Sequence, residues 1–320
     1  MPATLGKLLA RLGPFLGLIL VIGLFSLPTE TRESFLTYNN FKIILTQTVI
    51  VAVAALGMTL IIVSGGIDLS AGSVIALTSV IGALLIQHGW GPVPVLLAVV
   101  AAGGVIGLLN GAAIAGLRVT PFIITLGTLC IWRGQAMGLA DDQTINYDAS
   151  PINGWMTTAD PFSKTLPVGV WVTLVLAVLT SVLLRDTIFG RHLFALGSNE
   201  VAARYSGVRV TRLKVLAYTV AGGFFGLAGL FQLSRLRQGD PTVAVGLELD
   251  IIAAVIIGGA SLSGGVGTVL GSMIGALTMA VLRNGSLQMG WSNSVQLRII
   301  GAVIIVAVFL DRLRQGRAAS

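Results

Sequence analysis

The sequence predicts an all-α fold, a polytopic bundle of membrane-spanning helices, and three observations predict it. Only 10% of the 320 residues are charged, against about 25% in soluble domains. Apolar residues make up 55% of the chain and mean hydropathy is +0.92. They gather in runs near the ~20 residues that a hydrocarbon core requires, and basic residues crowd alternate connections between the runs. Disordered, collagen-like and disulfide-framed chains are excluded. The single cysteine, Cys130, lies inside an apolar run, where it reads as a small hydrophobe.

Ten runs follow in order. Residues 8–27 come after Lys7 and Arg11 and resemble a signal peptide, but Phe25-Ser26-Leu27-Pro28 offers no small-x-small cleavage site, so an uncleaved first span is expected. Runs 41–63, 73–88, 93–115, 120–140, 167–184, 214–233 and 266–283 are apolar over most of a membrane thickness. Run 251–260 is too short to cross alone unless Glu248 and its flanking loop dip inward, and 297–310 needs its neighbours to complete a span. The expectation is eight to ten spans, ten favoured, in a single transmembrane domain over 1–320.

The net charge of +7 would suggest nucleic acid in a soluble chain. Here the placement decides. With a cytoplasmic amino terminus and ten crossings, inside segments hold 12 of the 20 Lys and Arg: Lys7, Arg11, Arg118, six from Arg185 to Lys214, Arg312, Arg314 and Arg317. Outside loops hold five, and Arg133, Arg283 and Arg298 lie within or beside spans. This asymmetry puts both termini in the cytoplasm and calls for no nucleic-acid partner. Asp141, Asp142, Asp148 and Asp160 fall in the long external loop 141–166.

The chain also repeats. Residues 65–85, GGIDLSAGSVIALTSVIGALL, align without gaps to 258–278, GGASLSGGVGTVLGSMIGALT, with eleven of twenty-one positions identical. Each copy is an apolar segment, a Gly-Gly break, x-Leu-Ser, a glycine and a second helix. A break of this kind in lipid leaves backbone groups unpaired unless protein or a watery cavity surrounds it, so the breaks are expected to face the bundle interior. Interrupted helices in corresponding halves point to a transport pathway. Asp68, Ser70, Ser261 and Ser263 are therefore pathway candidates, although Asp68 and Ser261 are also helix-capping types. Gly103, Gly107 and Gly111, Gly222 with Gly226, and Gly267, Gly271 and Gly275 have small-xxx-small spacing and read as packing positions.

The inside loop 185–213 holds a capped helix: Ser198 or Asn199 as N-cap, Glu200 in the first turn, Ala202 and Ala203 as helix formers, Arg204 on its surface and Gly207 at its end. The spacing Ala202-Ala203-x-x-x-Gly207 looks like the Glu-Ala-Ala-x-x-x-Gly loop by which permeases of ATP-binding-cassette importers dock on their ATPase. Together with Gly65-Gly66-Ile67-Asp68-Leu69-Ser70 and the stretches 190–207 and 258–265, it makes the chain resemble ribose-type monosaccharide permeases of the branched-chain amino acid/ribose permease superfamily. Val201 stands where that motif has glutamate, and the motif's later Leu-Pro element is missing.

The resemblance implies a bacterial inner-membrane subunit with several partners: a second permease copy or paralogue, a cytoplasmic ATPase holding ATP and magnesium, and a periplasmic or lipid-tethered sugar-binding protein. No cofactor is expected on this chain. It has no Gly-x-x-x-x-Gly-Lys-Ser/Thr string, His-Glu-x-x-His or Cys-x-x-Cys, so neither a nucleotide-hydrolysing nor a metal function is expected of it. For a sugar, the polar and aromatic groups within spans are Gln47, Asn110, Trp132 and Gln135, with Arg133 beside them; interhelical hydrogen bonding is the alternative for each. Two other functions stay open at this stage. One is an ion-coupled secondary transporter using Asp68 or Glu248, and the other a permease of the same superfamily for another small solute.

Overall fold

A computed structural model describes residues 3–27, 33–156 and 165–318, with the side chains of 3–11, 310 and 313–318 left aside. Asp160 and Lys164, and the side chains of Lys7, Arg11, Arg314 and Arg317, thus lie outside the described residues. The chain is helical throughout: α1 (Ala3–Ser26), α2 (Tyr38–Val63), α3 (Ala71–Gln87), α4 (Pro92–Leu117), α5 (Pro121–Leu139), α6 (Val168–Asp186), α7 (Ile188–Ser198), α8 (Glu200–Tyr205), α9 (Val210–Leu236), α10 (Leu247–Ile257), α11 (Val269–Gln288) and α12 (Asn293–Ala318). Among the described residues five helices are long and apolar enough to cross a membrane, namely α2, α4, α5, α6 and α9. Leu12–Ser26, Ala71–Gln87 and Asn293–Phe309 are shorter apolar helices. Among the described residues, the one exception to the all-helical expectation is a two-residue ribbon, β1 (Ile145–Asn146) against β2 (Gln238–Gly239).

The ends of the helices meet in two groups. At one end the ribbon ties the connection after α5 to that after α9, and the Gln87 side-chain amide donates to the Asn146 carbonyl at 2.6 Å. At the other end the Gly265 N–H donates to the Val63 carbonyl at 2.9 Å, joining the break after α10 to the break after α2. The connection 118–120 and the segment 204–214 border one cleft at this second end.

Burial explains the interior. α2 is the central helix, with 94% of its most apolar window inside the protein. α4 and α9 interlock through the glycines read as packing positions: a Cβ at Gly103 would collide with the Gly222 carbonyl, one at Gly107 with that of Tyr218, and one at Gly226 with that of Val99. Such contact lets backbones approach where lipid supplies no hydrophobic drive between helices. Gly271 and Gly275 approach Gly258 and Ala254 of the α10 segment in the same way, whereas Gly267 precedes α11 and meets Val63.

Two elements differ from expectation. The connection 185–213 contains α7 as well as α8, because Thr187 caps Gly190, Leu193 and Leu196 are buried, and Gly190 packs directly on Leu184. In the second repeat, the helix starts at Val269 rather than directly after the break. Gly264 and Gly265 have φ +86° and +72°, a left-handed backbone that cannot begin a helix, and Thr268 instead supplies the N-cap to Gly271 N–H at 3.0 Å. α10 has 11 residues, about 16 Å of helix. The chain before it lies against α5 and α3: Arg133 Nη1 donates to the Pro241 and Val243 carbonyls at 2.6 and 2.7 Å, and Gly72 makes room for Ala244 and Glu248.

Candidate functional site

The first break begins where α2 runs out at Val63. Gly65 takes φ +83° and its N–H returns to the Ile62 carbonyl, while Gly66 N–H returns to Ile61, so the helix end is satisfied internally. The next residues are non-helical and buried. Asp68 is 1% exposed and Ser70 fully buried. Asp68 Oδ1 accepts from Ser70 N–H at 2.8 Å and from Ser70 Oγ–H at 2.6 Å. Asn110 of α4 donates to Ser70 Oγ at 2.8 Å, and Trp132 Nε1–H of α5 donates to Asn110 Oδ1 at 3.4 Å. Four residues singled out in the sequence thus form one polar chain across α3, α4 and α5. Asp68 is not the N-cap of α3. Ser70 occupies that position, and Asp68 closes a turn on it two residues earlier. Thr125 of α5 and Tyr218 of α9, not anticipated, hold the break by donating to the Ile67 carbonyl at 3.2 and 3.3 Å.

The second break is built alike. Gly259 has φ +89°, and Gly259 and Ala260 N–H return to Ile256 and Val255. Ser261 Oγ accepts from Ser263 N–H at 3.2 Å, the counterpart of the Asp68 turn, and donates to Asp311 of α12 at 3.2 Å. Asp311 also accepts from Leu262 N–H at 3.3 Å. Ser261 is buried, whereas Ser263 is exposed.

Between the breaks stands Gly197, near the end of α7. A Cβ there would collide with the Val63 carbonyl and Gly265 N–H, and one at Gly264 would reach Gly65 and Gly197 at 2.8 Å. Three glycine-bearing segments therefore touch at a point three residues before α8. That helix is formed as the sequence predicts: Asn199 is extended, and its side chain accepts from Ala202 N–H at 2.9 Å. Gly207, at φ +86°, ends it by donating to the Arg204 carbonyl. Ser198 belongs to α7, where it donates back to Phe194, so Asn199 alone is the cap. Glu200 accepts from Arg204 at 3.3 Å and from Lys214 at 2.7 Å. Ala203 is buried beneath the helix, while Val201 and Tyr205 are 62% and 89% exposed.

The remaining candidates separate. Arg133 clasps the loop before α10 and takes no part in the polar chain, and Gln135 lies on the exposed side of α5. Gln47 borders a different cavity, with Asp250, Arg283, Gln232, Arg235 and Gln296. The ion pair between Asp250 and Arg283 was missed by reading the sequence. Its signal was available, since a charge inside an apolar run demands a partner.

Comparison with known proteins is consistent with this architecture. The chain is 36% identical over 301 residues to the ribose import permease protein RbsC of Escherichia coli K12, covering 93% of each chain. It is 41% identical over 308 residues to RbsC of Bacillus subtilis, covering 94% of this chain and 92% of that one. It is 36% identical over 323 residues to the galactose/methyl galactoside import permease protein MglC of Haemophilus influenzae, with 94% and 93% covered. No solved structure matches. Residues 40–308 match the family model described as branched-chain amino acid transport system, permease component, and the chain belongs to that family: it is a multi-pass transport subunit and not a catalytic one.

Proposed function

We propose that this chain is the membrane-spanning subunit of an ATP-driven importer for a monosaccharide, delivered by a binding protein outside and driven by an ATPase that docks inside. The observation that carries this reading is the extent of similarity, over nine-tenths of both chains, to permeases named for ribose and galactose import. In this reading ten segments cross or enter the membrane, both termini are cytoplasmic, and the end bearing α7 and α8 is the cytoplasmic one. The concentration of Lys and Arg there supports that sidedness.

The chemistry asked of such a subunit is mechanical. α8 presents Val201 and Tyr205 to the cytoplasm as an apolar grip for the ATPase, and Glu200 with Arg204 and Lys214 holds its outer face. Movement of α8 passes through Gly197 to both breaks at once, because the three backbones are in contact without intervening side chains. The two interrupted helices are then the elements that exchange outward and inward access. The chain Asp68–Ser70–Asn110–Trp132 fixes the first break to α4 and α5 and gives it a polar lining. ATP and magnesium belong to the ATPase. A second permease copy or paralogue completes the pathway.

The test is coupling. In the importer reconstituted with its ATPase and binding protein, Ala202→Glu and Gly207→Glu are each expected to abolish substrate-stimulated ATP hydrolysis while the permease remains folded in the membrane. Undiminished stimulation in both variants would remove α8 from the docking surface.

A further inference from the structure

One group of polar residues takes no part in the breaks or in α8. It borders a cavity of about 130 Å³ between α2, α9, α10, α11 and α12. Asp250, on α10, is 1% exposed and paired with Arg283 of α11. Gln232 and Gln296 are each 7% exposed, and Gln47 is half-buried. The buried Nε of Arg283 has no hydrogen-bond partner among the described residues, and Gln47 and Gln232 line the cavity beside it. Gln296 donates to the Trp291 carbonyl and also lines the cavity.

Polar groups set in apolar spans without partners cost free energy unless something in the cavity meets them. The cavity's position says from where. Arg235 is one residue from the end of α9, Gln296 three from the start of α12 and Arg283 five from the end of α11. These helix ends belong to the group opposite α8, which the importer reading makes external. Its rim includes Leu287, 60% exposed.

We infer that this cavity is an external solute site for a small neutral polyol, distinct from the chain at the first break and met before the solute reaches it. Three side-chain amides each offer a donor and an acceptor, which suits neighbouring hydroxyls. Asp250 is paired with Arg283, and Arg235 brings a further guanidinium to the lining whose N–H groups donate to hydroxyl oxygens. Ile50 and Met279 supply the apolar wall against which a sugar ring's C–H face can lie. The inference rests on the importer reading for the sidedness of the cavity and for its substrate class.

The experiment uses thiol protection. Cys130, the only cysteine, is exposed and is first replaced by Ser. Single Gln47→Cys, Gln232→Cys and Leu287→Cys variants are then treated, in right-side-out vesicles holding the chain with its ATPase, with a membrane-impermeant methanethiosulfonate added outside. Leu287→Cys reads the rim without disturbing the polar network. All three are expected to react. D-ribose or D-galactose at about ten times its dissociation constant is expected to slow each roughly tenfold, as simple occupancy dictates. Val93→Cys, exposed at the same end of α4, is expected to react at an unchanged rate.

Absence of labelling from outside, labelling that neither sugar slows, or equal slowing at Val93→Cys would each overturn the site. Protection by D-gluconate alone would overturn the neutral class. Protection is an equilibrium property that requires no ATP, so failure of the importer reading appears separately, as wild-type uptake that does not depend on the ATPase.

Discussion

Asn110 joins two helices to the first break through two hydrogen bonds of unequal worth. Its amide donates to Ser70 Oγ at 2.8 Å, while the bond it receives from Trp132 is 3.4 Å long. Removing a buried partner leaves the other group unsatisfied, at a cost of about 1–3 kcal/mol. Asn110→Leu is therefore expected to destabilise the purified permease by about that amount in thermal unfolding, and to slow uptake. Trp132→Phe, losing only the long bond, is expected to stay close to wild type in stability. Equal losses in the two variants would show that packing, not the polar chain, holds the break. At this scale the sequence was informative wherever a polar residue interrupts an apolar run: Asp68, Ser70, Asn110 and Trp132 were all visible that way. Arg133 was visible as a buried charge, but its partners are the backbone carbonyls of Pro241 and Val243, and a carbonyl carries no residue-type signal. The exposed placement of Gln135 depends on the rotation of α5, which its apolar surroundings on every side do not encode.

Among elements, α8 has the simplest sequence signature and the clearest test. A six-residue helix is far below the length that is stable in isolation, so its cap matters. Asn199→Ala removes the acceptor for Ala202 N–H and is expected to cost about 1 kcal/mol of local stability. Amide exchange across 200–205 is expected to speed up roughly fivefold for that cost, with a parallel drop in ATPase stimulation. Unchanged exchange would mean that α8 is held by Glu200, Lys214 and buried Ala203 without its cap. α7 was not legible because Gly190 and Arg191 break its apolar pattern and only Leu193 and Leu196 give it a buried face. The repeat predicted two like breaks, and both end their first helix with a left-handed glycine. It also implied like helix starts, and there the copies diverge: Ala71–Gly72 are helical where Gly264–Gly265 are left-handed. One sequence difference, Ala71 against Gly264, opens that alternative.

For the molecule as a whole, apolar run length anticipated the helix order and the small-xxx-small spacings anticipated close packing at Gly103, Gly107, Gly222 and Gly226, while the pairing of α4 with α9 came from the structure. The contact of Val63, Gly197 and Gly265 was not anticipated. It joins segments some 130 and 70 residues apart in sequence, and glycines brought together by long-range packing look like any other glycines in a linear reading. In the proposed importer, that contact is the link by which a push at one end reaches both breaks. The most direct measurement is solute accumulation in sealed vesicles containing the purified permease, with the ATPase and binding protein either present or omitted. Uphill uptake of D-ribose or D-galactose is expected only when both companions and internal-face ATP are supplied. Accumulation by the permease alone, driven by an ion gradient and abolished by an uncoupler, would replace the ATP-driven gate with a self-sufficient transporter.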